Sequence, residues 1–247
     1  MSFEILAYEP TELGLLCLRR RELLSRPGTM VTEVTLNHEF LMSSYLTESE
    51  RQLATIGVEM VADSEAVQSE PSSDSQPARS GKGLSVLIGG LGLGYTAAAA
   101  LRFDDVASVE VVEFLPQVIG WMNEGLVPLS EQLNREPRFQ ITPGDVYARL
   151  TEPGESQFDL IAIDVDHSPE DVLGGQSSGF YSVAGLESAR SHLKSGGVLG
   201  IWSYAANSPL LDHMRTVFSD VRVEQVTVMN DLINEEQTDW LFFGRRD

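Results

Sequence analysis

Apolar residues fall into three patterns along the chain. Up to about residue 61, the runs Leu15-Leu16-Cys17-Leu18, Met30-Val31-Thr32-Glu33-Val34-Thr35-Leu36 and Glu39-Phe40-Leu41-Met42 read as short strands, punctuated by the turn formers Arg26-Pro27-Gly28 and Asn37-His38. Thr47-Glu48-Ser49-Glu50 then supplies a helix cap ahead of Leu53, Ile56 and Met60, whose spacing predicts a helix. Residues 62–83 are polar, acidic and poor in apolar side chains, which predicts a flexible linker. From Leu84 onward, apolar runs of strand length alternate with helical patterns. Strands are predicted at 84–88, 107–112, 138–142, 157–163, 197–203, 221–228 and 239–244, and helices at 94–102, 115–124, 145–150, 179–193 and 208–218.

Alternating strands and helices build a parallel sheet covered on both faces. The end of the chain departs from that rule. Residues 229–238 leave no room for a helix between the last two strands, so the final strand should run antiparallel to its neighbour. The expected organisation is a small N-terminal β module with one helix (1–61), the linker (62–83) and an α/β domain with a Rossmann-like seven-stranded sheet (84–247).

The chemistry concentrates at the first βαβ unit of that sheet. Val86-Leu87-Ile88-Gly89-Gly90-Leu91-Gly92-Leu93-Gly94 is a strand running into a glycine-rich turn, and a second strand ends at Glu113. Glycines let the backbone turn sharply and approach a ligand, while a carboxylate about 20 residues further on can accept both ribose hydroxyls. Gly92-x-Gly94-x-x-Ala97 satisfies the loose dinucleotide pattern, whereas Gly90-x-Gly92-x-Gly94 is the turn of class I S-adenosylmethionine (AdoMet) transferases. The antiparallel ending favours the second reading. Two more carboxylates close successive strands, Asp145 after the third and Asp164 after the fourth. Asp145 suits the exocyclic amine of adenine or, alternatively, the cap of the helix behind it; cofactor binding is the favoured role. Asp164, Asp166 and His167 stand at the mouth of the pocket, His167 as a base or as a solvent-facing loop residue. The three also suggest a metal, by resemblance to the cation-dependent O-methyltransferases, but a metal is not expected, because that family's second ligand pair, Asp-Asn after the next strand, is replaced here by Ser203-Tyr204-Ala205-Ala206-Asn207. Trp121, Tyr181, Trp202 and Tyr204 read as packing residues before acceptor-pocket residues, and Arg19-Arg20-Arg21 as a solvated strand end or turn.

Composition narrows the partners. Thirty-seven acidic against seventeen basic residues give a net charge of −20, which repels nucleic acid and anionic membranes. The excess would attract a cationic substrate, but plain solubility or a salty cytoplasm explains it more simply. The single Cys17 excludes an intramolecular disulfide and reads as a packed thiol. With no apolar run of membrane-spanning length and no secretory pattern at Met1-Ser2-Phe3-Glu4-Ile5, the sequence reads as cytoplasmic.

Taken together, Ile88-Gly89-Gly90-Leu91-Gly92, the Glu113 strand, Gly144-Asp145, the Asp164 strand and Phe180-Tyr181-Ser182 leading to Leu193-Lys194-Ser195-Gly196-Gly197-Val198-Leu199 resemble the spermidine/spermine synthase family over nearly the whole chain. The resemblance implies a class I AdoMet-methyltransferase-like fold. It implies that Glu113 and Asp145 hold ribose and adenine, that Asp164 helps deprotonate the attacking amine, and that the chain forms a homodimer. The departures lie where the aminopropyl group and the amine would bind. Gly92 stands where the family has an aspartate, and Met42, Ser43 and Ser44 stand where it has tyrosine, histidine or glutamine, and glutamate. Asp164-Val165-Asp166-His167-Ser168-Pro169 replaces Asp-Ser-Ser-Asp-Pro. The sequence therefore predicts a transferase acting on a small molecule, amines included, with methyl transfer from AdoMet slightly ahead of aminopropyl transfer from decarboxylated AdoMet and a non-catalytic nucleoside-binding protein as a third reading. Its predicted cofactor-binding residues are Gly89, Gly90, Gly92, Gly94, Glu113, Asp145 and Asp164; the catalytic candidates are Asp164, Asp166 and His167.

Overall fold

Near-continuous apolar runs from Leu84 onward form strands that are buried on both faces. The computed structural model describes residues 2–68, 83–155, 157–165, 179–206 and 209–247. Its seven-stranded sheet contains β5 (Leu84–Gly89), β6 (Val106–Glu113), β7 (Phe139–Pro143), β8 (Phe158–Ile163), β9 (Leu193–Ser203), β10 (Ser219–Asn230) and β11 (Glu235–Arg245), in the order β10-β11-β9-β8-β5-β6-β7. Strands β5 to β9 are mutually parallel, and β11 is antiparallel to both β9 and β10. The predicted class I α/β plan with its antiparallel last strand is present.

Side chains alternate between two apolar layers, as the two-residue period of a strand requires. Val86 and Ile88 of β5, with Leu160 and Ala162 of β8, face one layer; Leu87, Ile161 and Ile163 face the other. The first layer is covered by α1 (Glu48–Gln68), α2 (Tyr95–Ala100), α3 (Pro116–Asn123) and α4 (Ser130–Asn134). The second is covered by α5 (Val146–Thr151), α6 (Val183–Ser191) and α7 (Leu210–Val217). Helix α1 lies close to β8, since a Cβ on Gly57 would come within 2.6 Å of Leu160. It runs seven residues past the point where the sequence places the start of the linker, while 69–82 lie outside the described residues.

The N-terminal module is a four-stranded antiparallel sheet, β1 (Phe3–Thr11), β2 (Gly14–Glu22), β3 (Met30–Leu36) and β4 (Glu39–Ser43), rather than the three strands expected. Strand β1 escapes the sequence pattern because it is an edge strand whose residues are exposed or half-buried throughout, leaving no apolar period to see. The Arg19-Arg20-Arg21 run also proves to be structural. Arg19 and Arg21 of β2 flank Glu33 of β3, which is 4% exposed, with Nε–Oε distances of 2.9 and 2.8 Å. Burial pushes the Glu33 carboxyl up, and the two guanidinium groups outweigh that and hold it below the usual range.

Candidate functional site

The turn after β5 brings the chain to the carboxyl edge of the sheet, where ligands of open α/β folds bind. Gly90 has φ +91°, and a Cβ there would sit 2.3 Å from the Asp164 carbonyl oxygen, so the turn and the end of β8 can approach only through a glycine. Gly92, beside the Met42 sulfur, lines the cleft. Two further glycines of the turn are closely packed on the Cβ side. The space at Gly89 is filled by Val146 and Ile163, and a Cβ on Gly94 would strike Leu133.

Glu113 closes β6 behind this turn and is 7% exposed. Its Oε2 accepts from the Leu91 N–H at 2.8 Å and its Oε1 from the Leu115 N–H at 2.7 Å, fixing the carboxylate between the glycine turn and the start of α3. Burial pushes its pKa up, against those backbone donors. The Phe114 N–H acts on it as well, so the three backbone donors leave one of the carboxylate's about four lone-pair sites for a ligand hydroxyl. Asp145 caps α5, with Oδ1 accepting from the Tyr147 and Ala148 N–H groups at 2.8 and 3.2 Å. The capping role that the sequence reading ranked second is therefore present. The cap runs through Oδ1, which leaves Oδ2 for a ligand amine.

Asp164, at the end of β8, accepts a hydrogen bond from the Thr96 hydroxyl through Oδ2. Two carboxylates that sequence reasoning missed join it. Glu50, from the first turn of α1, lines the same cleft, and Asp239, from β11, accepts from the Ser49 hydroxyl at 2.7 Å. The register explains the meeting. Trp240 pairs with Ser203, so the antiparallel β11 brings its early residues to the carboxyl end of β9. The signal in the sequence was an acid immediately before the apolar run Trp240-Leu241-Phe242-Phe243, legible only once β11 is aligned.

The cleft encloses about 330 Å³, counting the part open to solvent, and is lined by Met42, Ser43, Glu50, Leu91, Gly92, Leu93, Tyr95 and Asp164. Burial, and next the Asp164 carboxylate, push Glu50 up to about 8. Burial pushes Asp164 up to about 6, against the Thr96 hydrogen bond. Asp239 is raised too, by burial, against the hydrogen bond from Ser49. None of the ion pairs among the described residues involves any of the three. Among the described residues, no three His, Cys, Asp or Glu side chains are arranged to hold a metal.

Asp166 and His167 lie outside the described residues. The aromatic residues divide. Trp121 is buried in the core and donates to Glu9, Tyr181 is buried against Tyr147 and Phe180, Tyr204 is exposed, and Trp202 stands beside Asp239.

No protein-family model matches the chain. A polyamine aminopropyltransferase of Prochlorococcus marinus (strain MIT 9313) is 29% identical over 132 residues, which is 53% of this chain and 44% of the relative, so the match spans less than half the length of that relative. The spermidine synthase of Thermotoga maritima superposes with a TM-score of 0.70 at 14% identity, covering 98% of this chain and 73% of that one. A spermidine synthase in complex with the transition-state analogue AdoDATO gives a TM-score of 0.70 at 16% identity, covering 98% and 74%. The chain thus has a class I AdoMet-type fold carrying an N-terminal β sheet, the fold it shares with these spermidine synthases.

Proposed function

We propose that the protein is an aminopropyltransferase that moves the aminopropyl group of decarboxylated AdoMet to a small amine. The observation that carries this reading is that Glu50 and Asp164 line one cleft beside the glycine turn, with Asp239 close enough to act on both and no basic partner among the described ion pairs. Methyl transfer, placed slightly ahead by the sequence, needs no such set of carboxylates. The likeness to spermidine synthases supports the aminopropyl alternative.

The nucleoside half falls to Gly90, Gly92, Glu113 and Asp145. A deep turn, a fixed carboxylate with a spare lone pair and the free Oδ2 of Asp145 fit an adenosine moiety. The bound sulfonium supplies an electrophilic carbon. An amine arrives as an ammonium and must lose a proton before it can attack. Asp164, raised by burial and oriented by Thr96, takes that proton as the N–C bond forms and the C–S bond breaks, its electron pair passing to sulfur. Glu50 and Asp239 hold the cationic acceptor in line with the carbon under attack. The exposed Phe3, Ile5, Tyr8 and Phe40 of the N-terminal sheet support a homodimer, and a monomer by light scattering at micromolar concentration would contradict it. The described helices include none long and apolar enough to cross a membrane.

Replacement of Asp164 tests the mechanism. Asp164→Asn should abolish formation of methylthioadenosine from decarboxylated AdoMet and putrescine while methylthioadenosine still binds. Full activity in this variant would remove Asp164 from the proposed chemistry.

A further inference from the structure

Helix α2 reads Tyr95-Thr96-Ala97-Ala98-Ala99-Ala100, and Thr96 is 3% exposed beside alanines that are buried as deeply. Alanine or valine would fill that place without a polar atom, and a buried hydroxyl is costly unless it finds a partner. Its partner is not the one that threonines choose elsewhere in the helices. Thr55, Thr151 and Thr216 each donate to the carbonyl four residues back, at 2.8, 2.9 and 2.9 Å. Thr96 instead donates to Oδ2 of Asp164, on another element.

We propose that Thr96 is the positioning residue of the base: its hydroxyl ties Oδ2 of Asp164 to the glycine turn and leaves Oδ1 as the atom that takes the proton of the acceptor ammonium. The proposal rests on the transferase reading and adds which carboxylate oxygen reacts and what holds it there. Asp164 meets the turn at three points. Its N–H donates to the Gly89 carbonyl at 2.8 Å, and a Cβ on Gly90 would sit 2.3 Å from its carbonyl oxygen. Its carboxylate is held by Thr96, two residues past Gly94, which caps α2. The backbone contacts fix where Asp164 stands, and the hydroxyl fixes how its carboxylate is turned. A base held by one oxygen presents the other to the cleft in a single orientation. Oδ1 receives the proton, the freed nitrogen lone pair forms the N–C bond, and the C–S electron pair leaves with sulfur. The hydroxyl also favours the ionised carboxylate, against burial. Among the other groups nearby, Glu50 of α1 and Asp239 of β11 are acids that oppose ionisation. Tyr95 of α2 lies 4.7 Å below the guanidinium of Arg51 of α1, whose Nε bonds to Thr47. The donor to Asp164 is Thr96.

The test is the pH dependence of kcat/KM for methylthioadenosine release from decarboxylated AdoMet and putrescine, measured on the full chain, Thr96→Val, Thr96→Ser and Asp164→Asn. Thr96→Val should lower kcat/KM at pH 7 about tenfold or more and move the acidic limb to higher pH by about one unit, so that its deficit narrows toward pH 9. Thr96→Ser keeps the hydroxyl and should return both rate and limb toward the parent. Serine fills the site less well than valine, so a merely structural role gives the opposite ranking. Methylthioadenosine, followed by calorimetry, should bind all four proteins equally. A Thr96→Val profile matching the parent's, a Thr96→Ser rate no better than that of Thr96→Val, or loss of methylthioadenosine binding in Thr96→Val would overturn the proposal. No turnover by the parent, or full activity of Asp164→Asn, would overturn the transferase reading and the proposal with it.

Discussion

The carboxylate cluster should make the unliganded protein less stable as the pH rises through neutrality. Glu50 is pushed from 4.5 to about 8 and Asp164 from 3.8 to about 6. Between the unfolded and folded values of such a group, the folded state binds a proton that the unfolded state has lost. The slope of unfolding free energy with pH is then negative, about 1.4 kcal/mol per pH unit for each such proton. The two carboxylates titrate as a pair that retains about one proton at neutral pH, so stability should fall by about 3 kcal/mol from pH 5.5 to pH 7.5. Glu33 and Glu110, whose values are lowered, are ionised in both states across this window and contribute no slope. Glu50→Gln replaces the protonated carboxyl by an amide of the same shape. It should flatten the slope and leave the variant about 2 kcal/mol more stable than the parent at pH 8, a figure reduced because the cleft opens to solvent. Urea unfolding of the unliganded protein at half-unit pH steps measures both quantities. A flat or rising profile between pH 5.5 and 7.5, or a Glu50→Gln variant less stable than the parent at pH 8, would refute the reasoning.

Two further outcomes follow from particular contacts. Glu33→Gln strands Arg19 and Arg21 and should cost about 3 kcal/mol, the low end for a buried pair because both guanidinium groups keep partial solvent; in the parent this contribution is present above the ordinary glutamate value and is lost as pH falls through the lowered one, as acid titration followed by circular dichroism would show. Asp145→Ala removes a helix cap and should cost about 1 kcal/mol, whereas Asp145→Ser keeps a capping oxygen and should restore stability without restoring methylthioadenosine affinity; equal affinity in all three proteins would confine Asp145 to capping.

The main sheet was legible in the sequence because its strands are apolar on both faces and the glycine turn marks where the first of them ends. The closing hairpin was legible from length alone, since 229–238 cannot hold a crossover helix. Edge strand β1 was not, because its exposed positions carry no period, and neither was α4, whose five residues are too few to show one. The candidate site divides in the same way. Glu113 and Asp164 end predicted strands and could be placed in advance. Glu50 and Asp239 stand 189 residues apart and meet only through the packing of α1 on the sheet and the register of β11 with β9. In the sequence, Glu50 was indistinguishable from a residue of a helix cap. A glycine that admits a neighbouring side chain, as Gly89 and Gly94 do, looks the same in the sequence as one that admits a ligand.

The most direct test of the central claim is a parallel turnover measurement with decarboxylated AdoMet and AdoMet, each with putrescine, following methylthioadenosine and S-adenosylhomocysteine. Methylthioadenosine released from the decarboxylated compound, in step with an aminopropylated amine, is the predicted result. S-adenosylhomocysteine released from AdoMet, with no aminopropylated product, would contradict it.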